Sequence, residues 1–350
     1  MIYDFIVIGA GISGASVAYE LAEYGSVALI EAESTPGYHS TGRSAALYTP
    51  NFGTPEVCEI NKASEAFFLD PPQGFCEAPL LTPRGALTVA SENNQNGLES
   101  LLKLASKSSP IYEISKAEAL RLAPIIRPEK FISAVYEPNV MDIDVASLHQ
   151  GYLRGFKQHG GELLVKHRIF SLENQSGFWS LKVADKVFRS RKVVNAAGAW
   201  ADQVGKLAQA ESIGLVPKRR TVIIVDSPEG LDLKAMPLID FVGGAYLKPE
   251  AGKIMVSPGD ETPVEPQDIQ PDDFEVAVLV DWLERNTLVS VSRLDHSWAG
   301  LRSFVADGNP VVRFDRKVPE FFWLAGQGGY GIMMAPTLAK RAAEQLLADY

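Results

Sequence analysis

The sequence predicts an α/β chain: a wound, mainly parallel sheet flanked by helices, joined to a second α+β domain with a mixed or antiparallel sheet. Three observations predict it. A strand, a glycine-rich turn, a helix and a second strand follow one another within the first thirty-one residues. Two more glycine-rich strand-to-helix junctions lie in the middle and at the end of the chain. Between those two junctions, from Val216 to about Ser292, the texture changes to short strands and proline-bearing loops with one helix.

The first unit is the most informative. Met1–Ile8 reads as a buried strand that runs into Gly9-Ala10-Gly11-Ile12-Ser13-Gly14. An alanine-rich helix follows to about Glu23, then a turn at Gly25 and the strand Val27–Ile30, which ends in Glu31. Gly9 suits the tight turn, and Gly11 lets the backbone approach a pyrophosphate held on the amides of a helix N-terminus. Gly14 lets helix and strand pack closely, and Glu31 can accept hydrogen bonds from a ribose diol. A lone GxGxxG could be a flexible loop in any α/β protein. Here the strand, helix, second strand and terminal acid supply the context of a Rossmann-like dinucleotide unit.

The elements that follow are read in order. Ser40-Thr41-Gly42-Arg43-Ser44-Ala45-Ala46 is small and hydroxylated, and is expected to precede a helix start and form a second nest of amides. Glu56–Leu69 is predicted as a helix stopped by Pro71-Pro72, and Leu80–Pro83 and Ala86–Ala90 as strands. Helices are expected over Gln95–Ser106 and after Ser115, where Ser-Lys-Ala-Glu fits a capping box, then a strand over Phe131–Tyr136. Val145–Gln158 reads as an amphipathic helix stopped by Gly160-Gly161. Leu163–Val165 is a strand, and Gly177–Val183 with Lys186–Arg189 a hairpin. Lys192–Trp200 is strand, tight turn and helix. Asp272–Arg285 is the helix of the strand-rich region. Phe321–Ala325 is a strand leading through Gly326-Gln327-Gly328-Gly329-Tyr330-Gly331 to a final helix from Pro336 to Tyr350. The recurrence of glycine junctions implies that residues 1–50, 140–212 and 308–350 form the dinucleotide domain and 51–139 and 213–307 a substrate domain.

Composition narrows the function. The net charge of -10 argues against a nucleic-acid surface. No stretch approaches the roughly 20 apolar residues of a membrane span, and the N-terminus lacks the basic region of a signal peptide. The two cysteines, Cys58 and Cys76, make neither a disulfide framework nor a zinc site. They read as buried free thiols in a reducing cytoplasm, and no metal site is expected.

Taken together, these motifs resemble the flavin-dependent D-amino-acid oxidase and glycine oxidase superfamily. The residues that carry the resemblance are Gly9–Gly14 with Glu31, His39–Ala46, Asn195–Trp200, Trp298-Ala299-Gly300-Leu301-Arg302 and Gly326–Gly331. A narrower likeness, to bacterial D-arginine dehydrogenases, rests on His39–Ala46, Leu148–Gly155, Pro217-Lys218-Arg219-Arg220 and Leu301–Gly308. The resemblance implies one FAD and oxidation of an amine or amino acid to an imine, by hydride transfer from the α-carbon to the flavin. Hydrolysis then gives the 2-oxo acid and ammonia. Some members attach the flavin to a late cysteine; none follows Cys76, so the FAD is expected to be non-covalent.

By the resemblance, FAD would be held by Gly9, Gly11, Ile12, Ser13, Gly14, Glu31 and Ala32, by Ser40, Thr41, Arg43, Ser44, Ala45 and Ala46, and by Arg168 and Ile169. Ala196, Ala197, Gly198, Trp200 and Gly328, Gly329, Tyr330, Gly331 and Ile332 would complete its site. The substrate carboxylate would be gripped by Arg220, Arg302 and Tyr246, beside Gly329. A guanidinium suits this because it offers two parallel hydrogen bonds. Arg219 is the natural confusion for Arg220; since hydride transfer to the flavin needs little protein acid–base work, no base is named, and His39 and His296 are read as structural.

In the side-chain pocket the sequence departs from the D-arginine dehydrogenases. Ala86 stands where they have an acid, and Leu47, Phe52 and Met333 replace polar groups. A neutral or apolar side chain is therefore expected, with Glu77 a poor substitute for the missing acid. Oxidation of secondary amines of the sarcosine, glycine or proline type is the alternative. A 2-hydroxy-acid oxidoreductase or a non-catalytic flavoprotein subunit are weaker readings. The sequence leaves open whether oxygen, a quinone or a carrier protein accepts the electrons, and whether the protein sits at the inner membrane surface.

Overall fold

A computed structural model describes residues 2–175, 177–184 and 186–348. Ile2–Ile8 lies at the centre of an eight-stranded sheet, parallel to Val27–Ile30 on one side and to Lys186–Asn195 on the other. Glu162–Leu164 extends the sheet beyond Val27–Ile30, again in parallel. The far edge of Lys186–Asn195 is divided between two partners. Its first half pairs antiparallel with Phe178–Val183, and its last residues pair in parallel with Phe321–Ala325. Ser171–Gln175 and Val311–Phe314 complete the sheet.

The central strands are apolar along their whole length because both faces are covered. Phe5, Val7 and Leu29 face the helices Ile12–Leu21, Val145–Gln158 and Gly331–Leu347, while Ile6, Ala28 and Ile30 join Trp179 and Trp323 in a core on the other side. Burying each such large apolar side chain stabilises the fold by about 1.5–3 kcal/mol. The helix Pro55–Leu69, which falls in the segment 51–139, packs on Gly331–Leu347 and contributes Val57, Ile60 and Phe68 to the first of these cores.

The second sheet also has eight strands, in the order His296–Phe304, Val216–Val225, Lys253–Ser257, Tyr246–Glu250, Leu238–Phe241, Ala86–Ala90, Ser133–Glu137 and Tyr112–Ile114. Every pairing is antiparallel except that of Leu238–Phe241 with Ala86–Ala90. Leu87, Val89, Ile223, Ile239, Leu247 and Val256 point to one face and pack on the helix Asp273–Asn286. Side chains alternate across a strand, so Glu137, Asp240, Tyr246 and Arg220 share the opposite face, with Arg302 beside them on the edge strand. A three-stranded sheet, Leu47–Tyr48, Met141–Ile143 and Leu81–Pro83, completes the strand inventory of the described residues.

Several sequence expectations shift. No helix follows Ser40–Ala46: the chain makes successive turns, with Gly42 N–H donating to Gly37 O, and then enters the strand Leu47–Tyr48. The helix expected to reach Ser106 stops at Leu102, and the strand expected at Phe131 begins at Ser133 because Phe131 turns into the core. The last helix starts at Gly331 instead of Pro336, which lies inside it. Proline there forgoes one backbone hydrogen bond, and the helix continues because its apolar face is buried. Its extension to Tyr350, like Met1, lies outside the described residues. Cys58 and Cys76 are half-buried instead of fully buried, and both are free thiols. Burial pushes the Cys58 thiol up.

Candidate cofactor and substrate site

The C-terminal ends of Ile2–Ile8, Val27–Ile30, Lys186–Asn195 and Phe321–Ala325 all open on one cavity of about 380 Å³. Clefts at the carboxyl ends of parallel strands are the usual ligand position in such sheets. Gly9 brings two of its walls together: at φ +95°, a Cβ there would lie 2.5 Å from the carbonyl oxygen of Ala196. Gly14 does not reach the cavity; a Cβ at that position would collide with the Gly9 carbonyl, so glycine serves the helix–strand packing.

Glu31 closes one end of the cavity. Its carboxylate accepts the N–H groups of Ala10 and Glu33, both at 2.8 Å, which fixes it between the glycine turn and the second strand. A carboxylate has about four acceptor sites, so it retains capacity for a diol. Ala32, Arg168 and Ile169 line the same end. Gly11, Ile12 and Ser13 line the middle, although the Ile12 N–H already donates to Thr41 Oγ1 at 3.0 Å. Ser40, Ala196, Ala197, Gly198 and Trp200 form the opposite wall, and Ser40 is tied to Leu301 O at 2.7 Å. His39 bonds Glu33 at 3.1 Å and packs on Trp200; His296 stacks on Trp298, so each imidazole has a structural contact.

A second cavity of about 90 Å³ adjoins the first, and Ile12, Ser40, Thr41, Leu301, Gly328 and Gly331 line both. Arg220, Tyr246 and Arg302 meet here, with Arg43, Ser44, Ala45, Gly329 and Ile332. The strand register explains the meeting. Lys218 faces Arg302 and Arg220 faces Gly300, so both guanidinium groups leave the same face. Arg219, one residue away, turns aside to Asp260 and Glu275, at 3.3 and 2.7 Å. Arg43 reaches away from the cavity, with its guanidinium on Ile269 O, Ala299 O and Asp268. Ala46 packs in the core, and Tyr330 stacks edge-on between Phe52 and Phe304 without lining either cavity.

The electrostatics of this corner are mainly cationic, with the Glu261 carboxylate on Arg220 at 3.3 Å the one acid paired with it among the described residues. Arg302 donates only to Tyr246 Oη, at 3.4 Å, and has no carboxylate within ion-pair distance among the described residues. Burial presses its guanidinium below the ordinary arginine range, and the Tyr246 phenol opposes that. Burial alone would raise Tyr246, but Arg302 and Arg220, with hydrogen bonds to Ser257 and Arg220, bring the phenol below its ordinary value. Two cations and a polarised phenol around a small hollow form a receptor for an anion.

None of Leu47, Phe52, Ala86 and Met333 lines either cavity. Leu47 pairs with Asp142, Ala86 is buried in its strand, Met333 packs near Thr49, and Phe52 is exposed against Tyr330. Glu77 is exposed. Two acids that sequence reasoning missed share the face of Ala86. Glu137 is its cross-strand neighbour and takes a hydrogen bond from Asn51 at 3.1 Å. Asp240 is the cross-strand neighbour of Tyr246, and burial pushes its carboxyl up to about 6. Only the strand register reveals them; no spacing in the sequence does.

Comparisons with known proteins identify the family of the chain. The FAD dependent oxidoreductase model, DAO, matches residues 4–345. Among curated proteins, the chain is 25% identical to FAD-dependent oxidoreductase domain-containing protein 1 of Bos taurus, covering 99% of this chain and 82% of that one. It is 23% identical to glycine oxidase of Bacillus licheniformis, covering 99% and 94%. L-α-glycerophosphate oxidase of Mycoplasma pneumoniae, solved with FAD bound, superposes with a TM-score of 0.89 at 19% identity over 99% of this chain and 95% of that one, a likeness of fold. The chain belongs to the DAO family of FAD-dependent oxidoreductases.

Proposed function

We propose that the protein oxidises an amino acid at the carbon bearing its amine, to an imino acid that water converts to a 2-oxo acid and ammonia. The substrate class is a D-amino acid with a neutral or apolar side chain. The observation that carries the reading is the Arg220–Tyr246–Arg302 corner, an anion receptor with no anion of its own at Arg302. A buried guanidinium without a counter-charge is costly, and a substrate carboxylate supplies that charge.

The larger cavity fits FAD. Gly9 and Gly11 keep side chains out of the wall where a pyrophosphate would lie, and Glu31 suits a ribose. Gly9, Gly11, Ile12, Ser13, Glu31, Ala32, Ser40, Thr41, Arg168, Ile169, Ala196, Ala197, Gly198, Trp200, Gly328 and Gly331 would hold the cofactor, from residues 1–50, 140–212 and 308–350. Residues 51–139 and 213–307 would supply the substrate side. Bound FAD supplies a two-electron acceptor. The chain's own residues position the substrate. Arg220 and Arg302 clamp the carboxylate from two strands, which orients the α-carbon toward the shared wall of the two cavities. Their positive charge also lowers the pKa of the substrate amine, favouring the neutral form that can be oxidised.

A second reading, oxidation of glycine or a small secondary amine such as sarcosine or proline, is favoured by the modest 90 Å³ hollow and by the likeness to glycine oxidase. Anaerobic titration of the purified flavoprotein with paired D- and L-amino acids and sarcosine tests both. Bleaching by apolar D-amino acids supports the first reading, bleaching only by sarcosine, glycine or proline the second, and no bleaching by any of them sinks both.

A further inference from the structure

We propose that Glu261 is the resident counter-ion of the carboxylate clamp, competing with the incoming substrate for Arg220 and thereby setting substrate affinity. This rests on the reading of Arg220, Tyr246 and Arg302 as a carboxylate site. Arg220 is the one clamp cation already engaged. Its Nε donates to Asp260 O at 2.9 Å and its Nη2 to Glu261 Oε1 at 3.3 Å. Glu261 also takes a hydrogen bond from Lys218 Nζ at 2.8 Å on Oε2, so one carboxylate bridges the two cations of that strand face. Those two contacts differ in kind. Asp260 O is backbone and holds Arg220 in register, whereas Glu261 contributes a solvent-exposed side chain and a full charge.

The loop that carries Glu261 is firmly anchored without it. Asp260 takes hydrogen bonds from Thr221 N at 2.6 Å and Thr221 Oγ1 at 2.9 Å, and Arg219 N donates to Thr262 O at 2.8 Å. The segment thus lies along Val216–Val225 where the strand Lys253–Ser257 leaves off. Its backbone therefore stays put when the Glu261 side chain moves.

Exposure makes the contact exchangeable. The Glu261 side chain is 48% exposed and that of Arg220 only 11%. The carboxylate can swing into water at small cost, because exposed ion pairs are weak and screened, while Arg220 stays buried. A substrate carboxylate entering the adjacent hollow can take both Arg220 and Arg302, a pairing Glu261 does not make. Hydrogen bonding to Lys218 holds the Glu261 carboxyl below the usual range, with Arg220 and Arg302 adding to the effect. Its charged form is favoured accordingly.

The experiment uses the FAD-loaded protein and two readouts. Binding of propanoate, a carboxylate with no amine to oxidise, is followed by the flavin absorbance shift; kcat and KM are then measured for whichever amino acid bleaches the flavin. Glu261→Gln keeps the acceptor oxygen and removes the charge. The expected result is about 5-fold tighter propanoate binding and a matching fall in KM, with kcat and Tm unchanged and with Glu261→Asp close to wild type. Unchanged or weaker propanoate binding in Glu261→Gln would show that Glu261 merely orients Arg220, and would overturn the inference. If propanoate binds with the same affinity to wild type and to Arg302→Ala, the clamp reading fails first, and the counter-ion role falls with it.

Discussion

Gly329 leaves room for Arg302: a Cβ at that position would lie 2.9 Å from Nη1 and 3.2 Å from Cζ of the guanidinium. The Gly329 backbone is not in the left-handed region, so alanine adds no backbone strain. Gly329→Ala is therefore expected to displace the arginine head without unfolding the chain. A 10- to 100-fold loss of kcat/KM on an amino-acid substrate, with Tm changed by no more than a few degrees, is the expected outcome. It corresponds to about 1.5–3 kcal/mol for a hydrogen bond to a charged group. Full activity in Gly329→Ala would mean that Arg302 does not touch substrate.

Arg302 and Arg219 are expected to differ on substitution. Arg302→Lys keeps the charge but loses the planar fork, and should raise KM about 10-fold while leaving flavin content intact. Arg302→Ala should raise it further. Arg219→Ala, on the opposite face, should cost stability through its ion pairs with Asp260 and Glu275 and leave KM unchanged. Steady-state kinetics beside thermal melts separate the three variants.

Asp240 gives a pH dependence whose sign follows from its surroundings. Burial raises its carboxyl from the ordinary 3.8 to about 6, so the folded state holds a proton that the unfolded chain has lost between those values. Its contribution to stability is greatest below pH 3.8 and declines as pH rises through 6. Asp240→Asn has no such proton. The melting temperature of that variant relative to wild type should climb between pH 4 and 7; a flat difference would mean the carboxyl is solvated.

Thr41 joins two parts of the wall shared by the two cavities through its hydrogen bond from Ile12 N–H. Thr41→Val keeps the shape and removes the acceptor, leaving a buried N–H unpaired at a cost of about 1–3 kcal/mol. Lower Tm and partial loss of FAD on gel filtration are expected, with Thr41→Ser restoring both. Equal flavin retention in the valine variant would mean that water replaces the hydroxyl.

The parts of the fold that were legible in the sequence are those whose signals are local. The glycine turn of residues 9–14, the Ser115 cap on Glu118 N–H and the helix Val145–Gln158 each follow from neighbours in the chain. The start of the last helix was not legible, because Pro336 reads as a first-turn residue while tertiary burial of Ile332, Met333 and Met334 carries the helix back to Gly331. The side-chain pocket was the least legible. Ala86 reads as a lost acid, yet Glu137 and Asp240 arrive on the same face through strand register, a long-range relationship with no sequence signature. The distinction between Arg219 and Arg220 likewise rests on which face each side chain takes.

The strand Lys186–Asn195 receives Phe321–Ala325 as its parallel neighbour only after some 125 residues of intervening chain, and the glycine turn that lines both cavities follows directly. On the ribosome, then, the larger cavity cannot close until residues 321–331 have emerged. Earlier in synthesis, the edge of Lys186–Asn195 around Val193 and Val194 waits unpaired and apolar. Closure of the cavity thus waits for residues 321–331, and a chain interrupted before Phe321 is expected to be a colourless, sticky intermediate instead of a shortened flavoprotein.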